Sequence, residues 1–73
     1  MNISFDEQAN ALYIQFQEGS VSKTLKLHDG ILMDIDDAGR LFGIEILDVS
    51  LRIPLDSLGK INIDLPLRLP DTT

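Results

Sequence analysis

From residue 2 to residue 47 the chain alternates between apolar and polar side chains, in five short runs separated by turn formers. Residues 2–5 place Ile3 and Phe5 on one side. Residues 11–17 set Leu12, Ile14 and Phe16 against Tyr13, Gln15 and Gln17. Residues 21–27 set Val21, Leu25 and Leu27 against Ser22, Thr24 and Lys26, with Lys23 interrupting the apolar side. Residues 31–36 alternate Ile31, Met33 and Ile35 with Leu32, Asp34 and Asp36. Residues 41–47 alternate Phe42, Ile44 and Ile46 with Leu41, Gly43, Glu45 and Leu47. A period of two is the signature of a pleated strand with one buried face.

The links between these runs read as turns. Asp29-Gly30 predicts a mirror-type hairpin turn in which both central residues take positive φ. Asp36-Asp37-Ala38-Gly39-Arg40 predicts a three- to five-residue hairpin loop, with Gly39 in the left-handed conformation. Links of two to five residues make neighbours antiparallel, because a parallel crossover needs a dozen residues or more. The simplest topology is a meander of five strands.

The last third has a different pattern. Ile53 precedes Pro54, which disfavours helix there. Pro54 can open a turn or two of helix over residues 55–58, with Gly59 ending it. Residues 60–69 alternate again, with Ile61, Ile63, Leu65, Leu67 and Leu69 on one side, and Pro66 restricts any strand there to an edge. The predicted fold is therefore mainly β (β-rich α+β): a small antiparallel meander with a short helical turn and an extended C-terminal arm. It forms a single domain over residues 1–73, divided into a sheet core (1–50) and a helical turn plus arm (51–73).

Several of these residues together resemble a known family. Phe5-Asp6-Glu7, Ala11-Leu12-Tyr13-Ile14, Gly30 with Asp34 and Asp36, and the run Gly39-Arg40-Leu41-Phe42-Gly43-Ile44-Glu45-Ile46-Leu47-Asp48 resemble the bacterial family catalogued as domain of unknown function 2283. The resemblance covers about residues 3–50. Asn10 stands where that family often shows Asp. The resemblance implies a small β-rich domain with no established activity. Some similar short bacterial proteins sit with toxin–antitoxin pairs, which makes an antitoxin-like acidic partner of a small basic protein the alternative function.

Composition narrows the chemistry. There is no cysteine, so neither disulfides nor thiolate chemistry are available; this agrees with a cytoplasmic protein. The polar, acidic start MNISFDEQ is unlike a signal peptide, and the apolar runs fall far short of the roughly 20 residues that span a bilayer. Twelve acidic against six basic side chains give a net charge of −6. That balance disfavours nucleic acid and anionic membranes and favours a basic protein partner.

Candidate catalytic and metal motifs each meet a structural objection. Asp34, Asp36, Gly39 and Glu45 fall at the first, third, sixth and twelfth positions of a calcium loop. Ala38 removes the ligand at the fifth, and both flanks alternate as strands where helices are needed. His28-Asp29 is the only histidine with a carboxylate beside it, but adjacent strand residues point to opposite faces, so a surface turn is the simpler reading. The expectation is a non-catalytic protein with no cofactor or metal.

One feature breaks local rules: Gly43 in mid-strand marks a bulge or a close backbone approach. Beside Leu32, Leu41 and Leu47 on the otherwise polar face it makes a flat spot for another subunit, or else it packs against Tyr13 of its own sheet. The arm adds Ile61, Ile63 and Leu65, and these seven residues form the candidate interaction surface. The chain is short, lacks a disulfide, and carries more aliphatic side chains than one small sheet can cover. A homodimer follows as the expected assembly.

Overall fold

The computed structural model describes residues 1–65. Five antiparallel strands form one open sheet: β1 (Asn2–Asp6), β2 (Ala11–Gln15), β3 (Lys23–His28), β4 (Ile31–Ile35) and β5 (Leu41–Ile46). Two single-turn helices follow, α1 (Val49–Arg52) and α2 (Leu55–Leu58). The mainly β class and the five strands agree with the alternation. Residues 60–65 carry no regular structure, and residues 66–69 of the predicted arm, with Leu67 and Leu69, lie outside the described residues.

The strand order is β1-β2-β5-β4-β3, which corrects the simple meander. β3, β4 and β5 do follow one another as hairpins. β2 pairs not with β3 but with β5, giving a Greek-key arrangement. The reason lies in residues 16–22. The alternation in sequence continues through Phe16 and Gln17 and resumes at Val21, but β2 ends at Gln15 and β3 begins at Lys23. The longer link can cross the ends of β5 and β4, about 14 Å away at three strand spacings. Its two ends are pinned, with Phe16 N–H donating to the Phe42 carbonyl and Ser22 N–H to that of Ile35, both at 2.8 Å. β5 thereby becomes the central strand.

Register places Ile3, Phe5, Leu12, Ile14, Ile44, Ile46, Ile31, Met33 and Leu25 on one face. Among the described residues, only Leu12, Phe42 and Val49 are buried apolar side chains. α2 and the residues after it lie beside the β1–β2 end of that face, where Leu55, Leu58, Gly59 and Ile61 border a groove with Ile3, Phe5 and Leu12. The Cα radius of gyration is 14.4 Å, against about 11 Å for a compact chain of this length. Among the described residues, no helix is long and apolar enough to cross a membrane.

The Asp29-Gly30 turn is not the mirror type expected. Gly30 has φ 79°, but Asp29 is outside the positive-φ region. A register shift between Lys26 and His28 accompanies it; the bulge supplies the local twist that a mirror turn would otherwise provide.

Candidate functional site

Gly43 is buried in the centre of the polar face, opposite Gln15 on one side and Asp34 on the other. A Cβ there would stand 2.2 Å from the Tyr13 hydroxyl oxygen and 2.9 Å from the Ile14 carbonyl oxygen. The missing side chain lets the Tyr13 ring cross β5 and reach β4. Its hydroxyl donates to Asp34 Oδ2 at 2.7 Å, and Thr24 Oγ1 donates to Asp34 Oδ1 at 2.6 Å. One carboxylate thus ties β2, β4 and β3 together across the central strand. Gly43 serves packing within the sheet, under Tyr13, and offers no open surface.

The Tyr13 phenol is pushed up to about 12 by burial, by its hydrogen bond to Asp34 and by the charges of Asp34 and Glu45. A raised folded-state value means this interaction contributes fully below the ordinary tyrosine value near 10 and is lost as pH rises towards 12. Tyr13 is the single tyrosine, so tyrosinate absorbance reports it alone. The titration should begin well above the ordinary value and coincide with falling stability, and Tyr13→Phe should remove that part of the alkaline loss. A midpoint at the ordinary value would contradict the hydrogen bond.

The β4–β5 turn is closed by its first acid. Asp36 N–H donates to the Arg40 carbonyl and Gly39 N–H to the Asp36 carbonyl, both at 3.0 Å. Asp36 Oδ1 accepts from the N–H groups of Ala38 (3.0 Å) and Arg40 (2.8 Å), and Oδ2 accepts from Arg40 Nε at 2.9 Å. The backbone N–H of Arg40 is the main reason the Asp36 carboxyl is held below the usual carboxylate range. Gly39 has φ 80° with open space around the missing Cβ. Gly39→Ala should therefore cost about 1 kcal/mol through backbone conformation alone; an unchanged urea midpoint would contradict that.

The calcium-type positions are engaged or separated. Asp34 is held by two hydroxyls, Asp36 closes its own turn, and Glu45 lies opposite Leu32 along the hairpin. His28 is exposed at the hairpin tip, with Nδ1 3.3 Å from the Asp29 carbonyl oxygen rather than against its carboxylate.

At the end of the sheet away from the β4–β5 turn, Asn10, marked in the sequence only as a departure from the family pattern, and Arg52 join the helices to the sheet. Asn10 adopts φ 52°, in the left-handed region that Asn tolerates. Its side chain donates to Ser50 Oγ (2.8 Å) and accepts from Ser50 N–H (3.2 Å), and its carbonyl accepts from Val49 N–H at 3.0 Å. Arg52 donates from Nε to the Leu47 carbonyl (2.9 Å) and from Nη2 to that of Asp29 (2.7 Å). Its guanidinium occupies the space beside Gly30. An Asn between turn formers was the available signal for the first; nothing in the local pattern marked the second.

The candidate interaction residues are spread over the molecule. Leu41 and Leu47 lie at and just past opposite ends of β5, with Leu41 38% exposed. Leu32 is half-buried between Lys26 and Glu45. Ile61 lines the groove of about 390 Å³ formed with Ile3, Phe5, Leu12, Leu55 and Leu58. Ile61, Ile63 and Leu65 are 54%, 58% and 59% exposed. The groove also contains Phe5, 43% exposed, and Leu55, 59% exposed, two residues outside the set chosen from the sequence.

A family model described as "Protein of unknown function (DUF2283)" matches residues 2–50. The match takes in the whole sheet and ends in α1, before α2. No curated protein and no solved structure matches.

Proposed function

We propose, from the premise that the chain belongs to the DUF2283 family, that the protein is a non-catalytic interaction module whose working unit is a homodimer. The observation that carries this reading is uncovered apolar surface. The chain exposes 5866 Å², whereas a compact monomer of 8.1 kDa exposes about 4,500 Å². Among the described residues the exposed apolar side chains include Phe5 and Leu55 at the groove and Ile61, Ile63 and Leu65 after α2. A stable interface takes about 800 Å² from each partner, so a second copy can account for the difference.

The polar side chains support a non-catalytic role. Two carboxylates, Asp34 on β4 and Asp36 in the β4–β5 turn, are each engaged in hydrogen bonds that hold the fold. A second reading, an acidic antitoxin-like partner of a small basic protein, is favoured by the net charge of −6; such a complex should weaken steeply with added salt.

The homodimer reading is tested by urea unfolding at a series of protein concentrations. The midpoint should rise with concentration, because folding and association are linked. A midpoint independent of concentration would contradict it.

A further inference from the structure

We infer that the second copy docks along β1, the two β1 strands pairing antiparallel about a twofold axis at Ser4 to join two five-stranded sheets into one of ten strands. This rests on the homodimer reading and assigns its surface. The sheet has two edges, β1 and β3. β3 carries Lys23 and Lys26 and a register shift between Lys26 and His28, and edge lysines and bulges are what discourage strand addition. β1 has an unbroken register with β2, and no Lys, Arg or Pro. Its one charged residue, Asp6, has Oδ1 turned onto the N–H groups of Gln8 and Ala9.

The β1 sequence suits self-pairing. With Ser4 on the axis, Ile3 stands opposite the partner's Phe5 on the apolar face and Asn2 opposite the partner's Asp6 on the polar face. No like charges are opposed, and each apolar side chain meets another. A twofold contact of this kind uses the same patch on both copies. The groove of Ile3, Phe5, Leu12, Leu55, Leu58 and Ile61 runs beside this same edge. Pairing brings the two grooves together, so that Phe5, Leu55 and Ile61, each about half exposed in one chain, become the centre of a shared apolar layer.

The chain has no cysteine, so single cysteines report the interface. Ser4 is exposed on the polar face, and Ser4→Cys keeps the fold. Opposed residues of an antiparallel pair have Cα atoms about 4.5–5.5 Å apart, within disulfide reach. Ser4→Cys should therefore oxidise to a covalent dimer under mild conditions, while Lys26→Cys on β3 should not. Nitroxide labels on Lys26→Cys should lie roughly 43 Å apart, the width of a ten-stranded sheet at about 4.8 Å per strand. A folded dimer that fails to cross-link at residue 4, or labels within about 20 Å as in two stacked sheet faces, would overturn the β1 interface and leave the homodimer standing. A monomer by light scattering would overturn both.

Discussion

Gly43→Ala should destabilise the protein by about 2–3 kcal/mol. The added Cβ would stand 2.2 Å from the Tyr13 hydroxyl oxygen, 2.5 Å from its ring carbon Cζ and 2.9 Å from the Ile14 carbonyl oxygen. The phenol can move aside, but only by releasing Asp34, whose carboxylate would then keep Thr24 as its one remaining side-chain donor. The Ile14 carbonyl belongs to the β2 backbone paired with β5 and cannot withdraw without breaking the ladder. Tyr13→Ala in the same chain should recover part of the loss, leaving the backbone contact as the remainder. Urea midpoints of the two single variants and the double variant form a cycle whose coupling should be clearly non-zero. Additive effects would mean that the tyrosine does not cross the glycine.

Replacing Ile61, Ile63 and Leu65 together by Ser should have the larger consequence. In an isolated chain these three side chains are more than half exposed, and their loss would scarcely matter. Each still exposes a little over half its surface, so covering that by a second copy is worth roughly 1–1.5 kcal/mol apiece and about 3–5 kcal/mol for the set. A core of this size supplies only about 3–5 kcal/mol. The triple variant should therefore be monomeric or unfolded at concentrations where the parent is folded and dimeric, as read by sedimentation velocity and circular dichroism. A variant as stable and as heavy as the parent would remove these residues from the interface.

The strands were legible because their alternation is long and clean, and the β4–β5 turn because Asp36 and Gly39 carry its chemistry in their side chains and backbone. Strand order was not legible. Alternation fixes which residues share a face but says nothing of which neighbour a strand chooses, and Phe16, Gln17 and Val21 continued the period past the real strand ends. The same limit applies to Gly43. Its position marked a close approach and Tyr13 was one of its two readings, but only register selects Tyr13 over a second subunit and sets its hydroxyl on Asp34, two strands away. Asn10 and Arg52 act across contacts between distant parts of the chain, to Ser50 and to Asp29, which no local pattern contains. The groove beside β1 escaped for a related reason: it combines side chains from β1, β2, α2 and residue 61.

The proposed homodimer is tested most directly by the mass of the protein in solution. Light scattering on the 73-residue chain at micromolar concentration should give twice its 8.1 kDa, unchanged by moderate salt, as expected of the proposed apolar contact. A mass of one chain that persists to high micromolar concentration would contradict the account.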